Sequence, residues 1–177
     1  MATELIDCRR LEEVGGERDA QAICRAVRCD NAFADFARGF AFCHQPKVAR
    51  NALWCLTKAT DDELRGLQPL MDNFIDQAIG TEYSAVRRLS LSIVERLAIP
   101  KDNLRTDFLD FCLRHMASLD EPPGVQTLCM KLAFRMCGFY PELRHEFFHS
   151  LQAMDPDYYK PAVKCVRNRI LSGKLQA

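Results

Sequence analysis

Pro46, Ser84, Pro123 and Pro161 recur at intervals of 38, 39 and 38 residues, and each is followed two positions later by a valine: Val48, Val86, Val125 and Val163. A period near forty belongs to stacked helical hairpins, in which each unit buries its apolar stripe only against its neighbours. Proline is accepted in the first turn of a helix because its missing N–H would have no partner there anyway. The metre therefore predicts four helix starts, at Pro46, Ser84, Pro123 and Pro161.

Counted from each valine, apolar residues return at helical spacing. Seven positions on stand Cys55, Ile93, Leu132 and Ile170; eight on stand Leu56, Val94, Ala133 and Leu171. Five on stand Leu53, Leu91 and Met130, with Asn168 breaking the column. Twelve positions back lie Phe36, Phe74, Leu113 and Leu151, and sixteen back lie Ala32, Leu70, Leu109 and Phe147. Each unit thus reads as two amphipathic helices. Asp30, the capping box Thr60 to Glu63, and Asp102 after Pro100 are expected to open the first helices. Residues Thr3 to Glu13 and Arg18 to Cys29 read as two further helices broken at Gly15-Gly16. They lie outside the column pattern, as a capping unit would.

Val86-Arg87, followed by Leu89, Leu91 and Val94, resembles the second helix of the HEAT-repeat family. Val163-Lys164 is a conservative variant, while Val48-Ala49 and Val125-Gln126 depart from it, and the family's aspartate five residues before the valine occurs as Asp120 alone. The resemblance spans roughly Asp30 to Lys174. It implies an all-α fold, a right-handed α-α superhelix of HEAT-like helical hairpins, in a family that is mostly scaffold and binding surface. The expected organisation is one domain, with an N-terminal capping pair over 1–29 and four hairpins over 30–177.

With 48% hydrophobic residues among 177, the chain can bury a continuous core. No apolar run approaches the ~20 residues that span a bilayer, and Met1 to Arg10 carries Glu4, Asp7, Arg9 and Arg10 in place of a signal-peptide stretch. A cytoplasmic protein that does not engage membranes is expected. The nine cysteines form no CxxC pair, and Cys55, Cys112, Cys129 and Cys137 sit in apolar helical patterns, so they read as reduced, buried thiols.

Formal charge is zero, yet it is sorted between helices. The second helices sum to +11 and the first helices to −8. At ~100° per residue the offsets two, six and ten after the valine fall opposite the core stripe. Those columns read Arg50, Arg88, Thr127, Cys165; then Trp54, Ser92, Lys131, Arg169; then Lys58, Arg96, Arg135, Gly173. In a stack whose second helices line the concave side at ~8–10 Å spacing, these cations would follow a groove of roughly 30 Å. The expected binding residues are Arg50, Trp54, Lys58, Arg88, Arg96, Lys131, Arg135 and Arg169. Trp54, the single tryptophan, either stacks on a ligand or packs under the N-terminal helices; the cations either bind a partner or simply solvate their face.

His145, Glu146 and His149 spell HExxH, which on a helix puts two histidines on one face with a glutamate as base. No histidine or glutamate follows as third ligand, and Phe147 belongs to a core column. No metal site is expected there. There is no GxGxxG, P-loop or GxSxG, and Cys43-His44 lacks an orienting third group. The sequence therefore predicts a non-catalytic binding or scaffold module without cofactor. Its basic groove would take an acidic protein or peptide, or nucleic-acid backbone. A second reading rests on resemblance to HEAT-like DNA alkylation-repair glycosylases, which share the architecture and a basic concave face. That resemblance is limited by the single tryptophan and by Glu95 as the sole acid near the outward columns. A third reading is an assembly module packed against another subunit.

Overall fold

The computed structural model describes residues 6–175, and within them every regular element is helical. The chain divides into two compact units, Met1–Ala98 and Ile99–Ala177. Unit 1 holds α1 (Cys8–Glu12), α2 (Glu17–Cys29), α3 (Phe33–Phe36), α4 (Pro46–Leu56), α5 (Asp61–Arg65), α6 (Met71–Gly80) and α7 (Ser84–Glu95). Unit 2 holds α8 (Thr106–Ala117), α9 (Pro123–Cys137), α10 (Pro141–Ala153) and α11 (Pro161–Leu171). The four metre residues each occupy the first position of a helix, α4, α7, α9 and α11. Thr3, the expected start of the first helix, lies outside the described residues.

The columns are the core. Val48, Val86, Val125 and Val163 are buried, as are Leu53, Leu91 and Met130, and Cys55, Ile93, Leu132 and Ile170. On the first helices Phe36, Phe74 and Leu151 are buried, whereas Leu113 is half-buried. Within unit 1, α6 packs along α7, α7 against α4, and α1 and α2 both against α4. Within unit 2, α8, α10 and α11 all pack on α9. Burial of the central thiols disfavours their ionised form. It pushes Cys55 up to about 12 and Cys137 up to about 11.

Two expected helix starts are corrected. Asp30 closes α2 instead of opening the next helix. Asn31 takes a left-handed conformation, φ 50°, and the Ala32 N–H reaches back to the Val27 carbonyl at 3.1 Å. This is a stop motif that an asparagine tolerates. Asp102 lies in a turn, and α8 begins at Thr106 after Arg105, whose guanidinium bonds Asp107. The first helix opened by the Thr60 capping box is broken into α5, a single 3₁₀ turn over Gln68–Leu70, and α6. Pro69 explains the break, because its ring and missing N–H do not fit a helix interior. The first helix of the first hairpin loosens after α3 into a wider turn over Ala37–Ala41.

Helix ends leave carbonyls without partners, and side chains from neighbouring helices fill them. Arg87 donates to the Ala78 and Thr81 carbonyls (3.3 and 2.6 Å), and Gln126, at the same offset after its valine, donates to Ser118 (2.7 Å). Arg167 donates to Leu151 and Gln152 (2.8 and 3.4 Å). Gln77, which accepts from buried Ser90, donates to Ala41 at 2.6 Å.

Arg87 and Arg88 are adjacent in sequence and opposite in role. Arg87→Ala strips donors from helix-end carbonyls and is expected to cost about 1–3 kcal/mol. Arg88→Ala, on the exposed face, is expected to cost less than about 0.5 kcal/mol. Urea denaturation checks the contrast, with a lower midpoint for the first variant alone.

Candidate binding site

Arg50 and Trp54 lie four residues apart on one face of α4, and Lys58 follows in the turn just after the helix. Arg50 is half-buried, and its Nε and Nη2 both donate to Asn51 Oδ1, at 2.9 and 2.7 Å. Asn51 is fully buried and donates in turn to the Leu11 carbonyl at 2.7 Å. A fold contact between α4 and the end of α1 therefore holds the Arg50 guanidinium in place. Next to it opens a shallow pocket of about 360 Å³ lined by Gly15, Arg50, Trp54, Ala85, Arg88 and Leu89. Arg88, exposed on α7, has no partner among the described residues.

Lys58 closes the other end of this face. Its ammonium lies 5.9 Å from the centre of the Trp54 ring and 2.9 Å from Glu17 Oε1. A cation over an indole face is attracted to its π density. Beyond Lys58 a second depression, about 290 Å³, is lined by Gln21, Cys24, Arg25, Arg28 and Lys58. Trp54 is half-buried and lines the first pocket.

Arg96 is placed differently from the expectation of an outward groove cation. It pairs with Asp61 at 2.7 Å and donates to the Ala59 and Thr57 carbonyls at 2.7 and 3.3 Å, which closes the end of α4. In unit 2, Lys131 and Arg135 are half-buried on α9 and engaged in interactions within the fold. Arg169 is exposed on α11, its side chain without a partner among the described residues. Of the eight expected residues, Arg50, Trp54 and Arg88 are brought together around one pocket, and Lys58 abuts it. Sequence reasoning missed Asn51, which reads as one polar residue in an apolar helix, and Gly15, assigned to a turn.

The acids of unit 1 meet cations from a distance. Glu63, third residue of the Thr60 capping box, accepts from Arg28 Nε and Nη2 and from the Thr60 N–H. The Arg28 hydrogen bonds, with the Thr60 bonds behind them, hold its carboxyl down at about 2. Glu17 is lowered mainly by its bond from Lys58. His145, Glu146 and His149 lie exposed on α10 while Phe147 fills the core. Among the described residues no three His, Cys, Asp or Glu gather as metal ligands. No helix among them is long and apolar enough to cross a membrane.

Residues 8–174 match the family model described as the HEAT repeat domain, and the chain accordingly belongs to that family. No match was found among curated proteins or among solved structures.

A carboxyl whose folded pKa is depressed contributes stability above its unfolded value, and loses it as pH falls through the folded one. Free glutamate titrates near ~4.3, so the Glu63 contribution is present at neutral pH and lost between there and about 2. Glu63→Gln is expected to lower the melting temperature at pH 7 and to leave it unchanged near pH 2. Thermal melts of both proteins across that range measure it.

Proposed function

We propose that this HEAT-repeat protein is a non-catalytic binding scaffold that takes an acidic segment of a partner protein on the α4–α7 face of unit 1. The observation that carries the reading is the pocket shared by Arg50, Trp54 and Arg88. Asn51 occupies two donors of Arg50 and fixes its plane, which leaves the Nη1 edge for an outside carboxylate. Arg88 supplies a second cation with no competing acid among the described residues. Guanidinium groups suit carboxylates because their N–H pairs match the two oxygens. Trp54 gives the flanking residue of the segment a flat apolar surface.

Lys58 and Arg96 act in this reading as supports, since each already has a carboxylate. Arg25, which lines the second depression, has no partner among the described residues and extends the basic surface beyond Lys58. Lys131, Arg135 and Arg169 belong to unit 2 and do not line this pocket. HEAT repeats generally mediate protein interactions, which favours a protein segment over nucleic acid.

Trp54 is the single tryptophan, so its fluorescence reports this pocket without labelling. Titration with an oligoglutamate peptide carrying one leucine is expected to shift the emission, with affinity falling as salt rises. Arg88→Glu is expected to weaken binding about tenfold, a change of ~1.4 kcal/mol, with the melting temperature retained. A fluorescence shift untouched by Arg88→Glu would refute the pocket. Tighter binding of single-stranded oligonucleotide, with a log–log salt slope near ~0.7 per phosphate contacted, would instead assign the face to nucleic acid.

A further inference from the structure

Three large hydrophobic residues are exposed among the described residues: Tyr83 at 57%, Leu119 at 60% and Tyr158 at 70%. Single exposed apolar residues are ordinary. These three share a topological position. Tyr83 lies in the turn from α6 to α7, Leu119 in the turn from α8 to α9, and Tyr158 in the turn from α10 to α11. Each therefore sits in the turn between first and second helix of a hairpin. Each also has an acid as immediate neighbour: Glu82 before Tyr83, Asp120 after Leu119, Asp157 before Tyr158.

Unit 2 holds two of these turns side by side. The Tyr159 hydroxyl donates to the Ala117 carbonyl at 2.9 Å, which ties the turn bearing Tyr158 to the end of α8, two residues before Leu119. Asp155 caps the Tyr158 turn by accepting from the Asp157 N–H at 3.0 Å, so the turn is ordered. Asp120 and Asp157 are exposed, and their side chains meet no cation among the described residues. Two apolar anchors, each beside an unneutralised carboxylate, stand on one fixed edge.

We propose that this edge of unit 2 is a second interaction surface, which binds a basic, apolar-bearing segment of another protein. Leucine or aromatic side chains of the segment would cover Leu119 and Tyr158, and its lysines or arginines would meet Asp120 and Asp157. Charge complementarity selects the occupant. A second copy of this chain would present its exposed hydrophobics beside acids of the same sign, and an anionic lipid surface would be repelled by the same carboxylates. The surface is independent of the pocket in unit 1 and prefers the opposite charge.

The test uses the whole protein and a fluorescein-labelled peptide of alternating lysine and leucine, read by anisotropy. A lysine–serine peptide of equal charge serves as the control. Expected is binding of the lysine–leucine peptide at least about tenfold tighter than the control. Leu119→Ser with Tyr158→Ser is expected to weaken it by about tenfold, with the melting temperature unchanged because both residues are exposed. Asp120→Asn with Asp157→Asn is expected to weaken it by about threefold and to flatten its salt dependence. Arg88→Glu should leave this binding intact, which separates its outcome from that of the unit 1 pocket. Absence of binding, equal binding of the lysine–serine peptide, or binding undiminished in both double variants would overturn the proposal. So would a wild-type dimer by sedimentation that Leu119→Ser dissolves, since the edge would then be occupied by a second copy.

Discussion

The last carbonyls of each helix in an antiparallel hairpin face a turn with no N–H to meet them. This chain answers with side chains borrowed from the neighbouring helix. Arg87, Gln126 and Arg167 reach back from second helices to the ends of the first helices they follow. Between hairpins, Arg96 closes the end of α4, Asn51 the end of α1, and the Tyr159 hydroxyl the end of α8. Several of these links join residues 37 to 42 apart, close to one repeat period. They give a hydrophobic stack a fixed register, because sliding one helix would break these bonds and strand the buried Leu11 carbonyl at a cost of about 1–3 kcal/mol. The valine–arginine pair that marks the second helix acquires a physical meaning here. The valine is core, and the arginine seals the helix before it.

That requirement also accounts for much of the charge sorting. A cation on a second helix near the end of another helix finds carbonyls and the negative end of a helix dipole. An acid in the first turn of a first helix sits near the positive end, as Asp61 and Glu63 do. Positive second helices and negative first helices therefore follow partly from how the hairpins stack. What remains for a partner is the set of cations the fold does not consume. Of the expected binding residues, Arg88 and Arg169 have no side-chain partner among the described residues, and Arg50 has one edge to spare.

The fold was legible because its signal is redundant. Four helix starts and five core columns repeat the same spacing, so one deviation such as Asn168 or Leu113 does not obscure it. Local errors came from residues with two meanings. Asp30 is a good helix opener and, with Asn31 behind it, an equally good stop; only the Ala32 to Val27 hydrogen bond distinguishes them. Asp102 follows a proline yet caps nothing, since α8 starts four residues later. The site was half legible. Helical phase placed Arg50, Trp54 and Arg88 outward, but it could not show that Lys58 and Arg96 would meet Glu17 and Asp61, acids 41 and 35 residues away on other helices. Pairings of that range depend on the stacking geometry, which periodicity alone does not supply.

Asn51 joins these arguments. It is one of three buried polar residues among those described, and it has two duties. Its amide nitrogen satisfies the end of α1, and its oxygen accepts from Arg50. A flexible surface arginine loses side-chain entropy of about 2 kcal/mol when a ligand fixes it. Here the fold holds the guanidinium beforehand, so the carboxylate of the proposed partner would meet a donor already oriented. The proposed pocket therefore takes its geometry from a contact whose first purpose is to hold the N-terminal helix against the repeats. In the proposed pocket, residues 8–12 of α1 would influence affinity without touching the ligand, because the Leu11 carbonyl anchors the asparagine that anchors the arginine.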